Sequence, residues 1–359
     1  MKNSFVFLGN QLMRAWEQLI GVMLPPNARV FQVQNPGKML CHESKPLMMF
    51  SKDYGYFAVK KPLVGKVTKS KEDTEFVLSA LKHAYEVFYD PEVTELAVAE
   101  ILTKVFAYRT FEEGLELQIP SLDGKNKLHL VDYRVDKIFD LWKNIPAFGL
   151  LPISSTLASP ILLFRGTQFS PFIKSGRGSI IADLDPRGPG RTLFEYAKPK
   201  LKLWLDQTTK VNKARVMGYS LGGALAAYML IDSPDFFSLD PNNSSYLFHL
   251  PGIGIDLFEK WQAMPQESRP AFKAFICEGD LVSKIGHLFG STSQLKLSKP
   301  LPPISAHTTL LFSQRCFHIH SVDIPKENNS FYRRHYTIIH KSTSELFYKM
   351  GLKKAFPKL

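Results

Sequence analysis

Apolar residues recur at a near-helical spacing between Thr74 and Tyr89, at Phe76, Leu78, Leu81, Tyr85 and Phe88. Pro91 then opens a second helical pattern over Glu92 to Tyr108, carried by Leu96, Ala97, Ile101, Val105 and Phe106. Pro120 to Lys127, with Asp123-Gly124 inside it, reads as a turn between two short strands. From there the period switches. Lys127 to Phe139 alternates as a strand and Pro160 to Phe164 is a short apolar one. A helix follows over Thr192 to Leu205, then strand Ala214–Met217 and helix Gly222–Leu230. Strand Ser245–Leu250, helix Ile255–Met264 and strand Phe272–Cys277 complete the series. Strands alternating with helices predict a mostly parallel sheet covered by helices on its faces, an α/β architecture. Residues 1–70 are broken by Pro25-Pro26, Pro36-Gly37, Pro46 and Pro62, and read as irregular. The exception is an amphipathic N-terminal helix with Leu12, Trp16, Leu19 and Ile20 on one face. The expected division is a mainly helical N-terminal extension over 1–120 and an α/β domain over 121–359.

A length of 359 residues allows such a division, at roughly 150 residues per domain. Hydrophobic residues at 45% and charged residues at 22% exclude a mainly disordered or fibrous chain. The 45 Lys and Arg against 33 Asp and Glu leave a net charge of +12, which favours anionic surfaces. The basic residues are scattered and match no nucleic-acid-binding signature, so no specific nucleic-acid partner is expected. Cys41, Cys277 and Cys316 form neither a disulfide framework nor a zinc-ligand set. No run of 18 apolar residues predicts a transmembrane helix. Asn10, Gln11, Arg14 and Glu17 interrupt any signal-peptide core, so a cytoplasmic location, or export without a Sec signal peptide, is expected.

Candidate chemistry concentrates in Val216-Met217-Gly218-Tyr219-Ser220-Leu221-Gly222-Gly223-Ala224. Gly-x-Ser-x-Gly alone arises by chance about once in every eight chains of this length, given average glycine and serine usage. Its placement after a β-branched strand and before a small-residue helix is what makes it informative: this is the setting of a nucleophilic serine on a sharp strand-to-helix turn. The turn leaves little room two residues either side of the serine, hence the glycines. The helix that follows offers its N-terminal amides to a developing oxyanion.

This segment resembles the nucleophile region of class 3 (fungal-type) triacylglycerol lipases of the α/β-hydrolase superfamily. Leu162-Leu163-Phe164-Arg165-Gly166-Thr167 is similar to that family's apolar strand with Arg-Gly-Ser/Thr, and Phe248-His249-Leu250-Pro251-Gly252-Ile253-Gly254 to its Phe-Gly-x-Pro-x-x-Gly. The likeness covers roughly 155–285; Tyr219 stands where the family usually has His, and the C-terminal third is unfamiliar. The resemblance implies an α/β-hydrolase fold, an oxyanion hole at Thr167 beside the Leu221 amide, and a lid over Gln168 to Ile181. Asp280, in the turn after Phe272–Cys277, sits where a catalytic carboxylate belongs in an open α/β sheet, and the resemblance points to it as well. Six histidines follow it. His307 is preferred because strand Gln294–Ser298 and a proline-rich loop precede it and an apolar, helix-like Thr308 to Phe312 follows; His335 and His287 remain alternatives. His318-x-His320 with Asp323 faintly suggests a metal pair, but the remaining ligand spacing is missing.

The expected activity is hydrolysis of a carboxylic ester, most simply an acylglycerol, by Ser220, His307 and Asp280, with no metal and no cofactor. A phospholipase or thioesterase using the same groups, and a catalytically silent scaffold that binds a partner, are the alternatives. Expected partners are a lipid or small ester and, transiently, an anionic membrane surface.

Overall fold

The computed structural model describes residues 38–41, 77–85 apart from 79 and 83, and 91–351 apart from 110, 123–126, 154–157, 169–173, 298–299 and 311–315. The predicted N-terminal amphipathic helix and residues 169–173 of the predicted lid lie outside the described residues.

Ten strands among the described residues form one sheet. In chain order they are β1 (Lys38–Cys41), β2 (Glu116–Leu122), β3 (Leu128–Asp140), β4 (Pro146–Pro152), β5 (Ile161–Phe164), β6 (Arg215–Tyr219), β7 (Ser245–Phe248), β8 (Phe272–Cys277), β9 (Thr292–Leu297) and β10 (Cys316–Ser321). They lie side by side as β1-β10-β9-β8-β7-β6-β5-β4-β3-β2. The five central strands, β5 to β9, are parallel; both flanks are antiparallel. The central strands are short and buried on both faces, as crossover-connected strands must be when helices cover each side. The register of β1 on β10 sets Cys41 opposite Cys316, a pairing their sequence separation conceals.

Alternation sorts the strand residues into two cores. Ile161, Leu163, Met217, Tyr219, Tyr246, Phe248, Phe275 and Cys277 face one way, towards helix α1 (Pro91–Lys104) and the helical residues Val77, Leu81 and Ala84. Leu162, Phe164, Val216, Leu247, Ala274 and Ile276 face the other. That second face is covered by α3 (Arg191–Thr208), α4 (Leu221–Asp232) and α5 (Ile255–Ala263). Helix α2 (Lys174–Asp183) precedes these, and α6 (Pro303–Thr308), α7 (Ile324–Asn328) and α8 (Phe331–Lys349) end the described chain. A mixed sheet with a parallel centre, helices on both faces and a serine at the β6–α4 turn is an α/β-hydrolase fold. Among the described residues no helix is long and apolar enough to cross a membrane.

The boundary expected at residue 120 falls inside β2, and α1 lies directly on the central strands. Every residue of α1 from Val93 to Lys104 is buried, charged ones included, so those charges need partners inside the protein. Glu95 has two. Its Oε1 lies 2.7 Å from Arg215 Nη2 on β6, and its Oε2 accepts from the Tyr246 hydroxyl at 2.7 Å. Arg215 also donates to the Ser244 carbonyl. This buried group ties α1 to two adjacent strands. Removing one member of such a pair strands the other without a counter-charge. Glu95→Ala should therefore destabilise the fold by about 3–5 kcal/mol, read as a lower urea midpoint at unchanged slope.

Candidate active site

Ser220 lies between the end of β6 and the start of α4 with φ 55° and ψ −123°, a backbone conformation that L-residues adopt only when their surroundings impose it. The surroundings here are close. A Cβ on Gly218 would lie 2.1 Å from the Gly222 carbonyl oxygen, and one on Gly222 would lie 2.5 Å from the Phe164 carbonyl oxygen. Both glycines are thus needed for the turn to close and for α4 to begin against the end of β5. The Ser220 amide donates to the Phe248 carbonyl at 2.9 Å, fixing the turn to β7 as well.

Three side chains from separate loops meet here. His307, on α6, places Nε2 2.8 Å from Ser220 Oγ and Nδ1 3.0 Å from Asp280 Oδ2. Asp280 follows β8 and is completely buried. Its Oδ1 accepts from the Val282 amide and its Oδ2 from the Ser283 hydroxyl. Burial alone would raise its carboxyl, but the charge of His307, its hydrogen bond and the nearby His249 ring outweigh burial and hold it well below the usual carboxylate range. The loop after Asp280 is braced from below. Lys284 pairs with Glu327 at 2.8 Å, and Glu327 with the buried Arg333 of α8 at 3.3 Å. His307 occupies the last turn of α6, so the helix predicted after it at Thr308 is replaced by one that carries it.

On the other side of Ser220, Leu221 is the first residue of α4, so its amide has no intrahelical acceptor. Thr167, three residues past β5, donates its hydroxyl to Asp183 Oδ2 at 2.7 Å, and its carbonyl accepts from Tyr108. Asp183 ends α2, and its backbone carbonyl faces His340 Nε2 of α8 at 2.8 Å. Burial pushes the Asp183 carboxyl up to about 7, with the Thr167 hydroxyl and His307 pulling the other way. Ser220 and His307 are each 4% exposed and Thr167 5%, so the site is closed.

Behind these groups lies a polar layer that sequence reasoning missed. The Tyr219 hydroxyl donates to the His307 carbonyl at 2.9 Å. Lys104, buried at the end of α1, donates to Glu100 at 2.6 Å and to the Thr309 carbonyl at 2.7 Å. His249, 0% exposed, puts Nδ1 3.5 Å from Asp280 Oδ2. Two signals were available: Tyr219 and His249 each depart from the motif they otherwise resemble. Lys104 and Asp183 have no local sequence signal, because a helix period and a loop carboxylate do not show which side chains turn inward.

The remaining candidates sit elsewhere. His335 is exposed on α8 and stacks on Phe331; His287 stacks on Phe258 in a cleft of about 550 Å³ that also includes Trp261 and Asn328 and none of the groups above. His318 and His320 stack on β10, whereas Asp323 caps α7 and pairs with Lys326. Among the described residues, His249, Asp280 and His307 are the group whose ligand atoms lie within 4.8 Å of one another. Two of them, His307 and Asp280, already bond to each other at 3.0 Å.

A scan against protein-family models finds no match, and a search of curated proteins finds none either. Among solved structures, this chain is similar to a triacylglycerol lipase from Penicillium expansum, with 14% identity, 60% of this chain and 81% of the other covered, and a TM-score of 0.35. Lipase II from Rhizopus niveus aligns with 14% identity over 82% of this chain and 93% of its own, with a TM-score of 0.32. A triacylglycerol lipase described as having a serine protease triad at its catalytic centre shares 20% identity over 45% and 67% of the two chains, with a TM-score of 0.30. The fold assignment rests on the topology and the turn at Ser220.

A carboxyl raised in the folded state from 3.8 to about 7 stays protonated where the unfolded chain has already released its proton. Its contribution to stability is therefore lost as pH rises from about 4 to about 7. Asp183→Asn should remove that loss. Thermal midpoints of wild type and variant are expected to diverge across this window in favour of the variant; parallel curves would contradict a raised Asp183.

Proposed function

We propose that the chain is a serine hydrolase of carboxylic esters with Ser220 as nucleophile, His307 as general base and Asp280 as the acid that orients it. The observation that carries this reading is His307, which spans Ser220 Oγ on one nitrogen and Asp280 on the other at hydrogen-bond distance. In the first step Ser220 Oγ attacks the ester carbonyl and its proton passes to His307 Nε2. Asp280 remains ionised and stabilises the imidazolium, consistent with its depressed pKa. The tetrahedral oxyanion is held by the Leu221 and Thr167 amides. On its collapse His307 returns the proton to the departing alcohol and leaves an acyl-enzyme. Water, activated by the same histidine, then releases the acid and restores Ser220.

The Asp183 carboxyl accepts from the Thr167 hydroxyl and so fixes the orientation of that turn. The closed site requires a cover that moves. We propose α2 for this role, because it leads from the Thr167 turn and ends on Asp183. The substrate class follows from the resemblance stated above and from the net charge of +12: an acyl lipid presented at an anionic surface.

The test is turnover of p-nitrophenyl esters from short to long acyl chains, with and without micelles, beside labelling by a fluorophosphonate. Ser220→Ala should lose both the label and turnover, the latter by a factor on the order of 10⁴–10⁶. An optimum at long chains with micelles supports a lipase. Wild-type protein that neither labels nor turns over under any of these conditions would overturn the reading.

A further inference from the structure

His249 occupies the first position after β7 in a conformation that a histidine adopts at a cost. Its φ is 47°, in the left-handed region, and the motif it otherwise resembles has glycine there. The side chain is completely buried, and neither ring nitrogen has a hydrogen-bond partner among the described residues. A buried, unpaired polar ring on a strained backbone is doubly unfavourable unless something in its surroundings uses it.

Those surroundings are the back of the proposed catalytic group. Nδ1 of His249 lies 3.5 Å from Asp280 Oδ2, the oxygen that His307 Nδ1 approaches at 3.0 Å. The His249 ring stands edge-on to His307, with centroids 6.0 Å apart, and edge-on to Tyr219 at 5.9 Å. The charged groups around it are Asp280 and His307 from the loops after β8 and β9, and Lys104 from α1, which is itself paired with Glu100. Burial and the Lys104 ammonium push His249 down to about 3, so the ring is neutral and carries one N–H. With the proton on Nδ1, the acceptor beside it is Asp280 Oδ2.

We infer that His249 is a positioning residue for Asp280, offering a second imidazole N–H to Oδ2 and so keeping that oxygen aimed at His307. The inference rests on the serine-hydrolase reading above. Its physical content is orientation. A carboxylate that also accepts from Ser283 and Val282 could still turn on its side-chain bonds. A ring wedged against Oδ2 blocks that turn, holds His307 in the tautomer with a proton on Nδ1, and leaves Nε2 to accept from Ser220. Neutrality matters equally: a second positive charge here would oppose formation of the His307 imidazolium during the reaction.

The backbone strain makes the inference sharply testable, because stability and activity should move in opposite directions. His249→Gly places the residue that φ 47° favours, and His249→Asn keeps an N–H donor on a side chain that tolerates this backbone. In the full chain, with a soluble p-nitrophenyl ester, His249→Gly should lower kcat about 10–100-fold, as loss of such outer-shell partners does, and leave KM within about twofold. Its thermal midpoint should not fall. His249→Asn should recover kcat to within about threefold of wild type. Wild-type kcat in a folded His249→Gly, alongside an inactive Ser220→Ala, would overturn this inference and leave the serine-hydrolase reading intact. Should the glycine variant fail to fold, a folded His249→Asn that loses as much kcat as expected for glycine would overturn it equally. Turnover that survives in Ser220→Ala would overturn both.

Discussion

The tight turn at Ser220 is the constraint on which the rest of the molecule depends. Gly222 can have no side chain because the carbonyl of Phe164 fills that space, and Gly218 can have none because the backbone of Gly222 does. One contact therefore sets three relations together. It fixes where α4 starts, how close α4 comes to the end of β5, and hence how far the Leu221 amide stands from the Thr167 turn. The positive φ of Ser220 is the cost of that compression. It is met by the burial of α4, whose residues from Leu221 to Ile231 are all inside. A helix buried over its first eleven residues holds a strained turn in place in a way that a marginal surface helix could not.

The second structural theme is that the helix over the sheet also reaches the proposed base. Helix α1 is anchored at one end by Glu95 to Arg215 and Tyr246. At its other end Lys104 donates to the Thr309 carbonyl, two residues past His307, and its ammonium lies 5.3 Å from the Tyr219 ring. Tyr219, next to Ser220, donates to the His307 carbonyl itself. The segment that carries His307 is thus held through its backbone from two directions. Its ring is left to Ser220 and Asp280. This arrangement separates the task of placing the loop from the task of moving protons.

Sequence reasoning reached the parts of this design that local chemistry dictates. The strand-to-helix turn needed its glycines, the Asp280 turn followed a readable strand, and a proline-rich loop marked the position of His307. The central strands were legible because burial on both faces makes them continuous apolar runs, as in Ile161–Phe164. Elements defined by distant contacts were not. Strand β4 begins and ends with proline, a composition that reads as loop until its antiparallel neighbours are known. Strand β1 lies in a proline-broken stretch and pairs with β10, near the other end of the chain. Helix α8 alternates basic, aromatic and polar residues with no clean apolar face, because its inward side carries Arg333, His340 and Ser344 rather than aliphatic chains. The same limit hid Asp183 and Lys104.

Those inward polar groups share a logic. Asp280, His249, Lys104 with its partner Glu100, and Asp183 come from four separate places in the chain and gather around the Ser220–His307 contact. A low-dielectric interior strengthens every interaction among them and penalises every one left unmatched. The pattern of charge is accordingly asymmetric. Asp280, on the Nδ1 side of His307, is kept ionised by donors from three directions, which favours a positive imidazole. Asp183, on the Thr167 side, is pushed towards the neutral form by burial. A full negative charge beside Thr167 would repel an oxyanion forming there, while a neutral carboxyl would not. Two aspartates of one site thus take opposite charge preferences, Asp183 through burial and Asp280 through partners that outweigh burial, and each preference suits the charge that the proposed reaction would develop beside it.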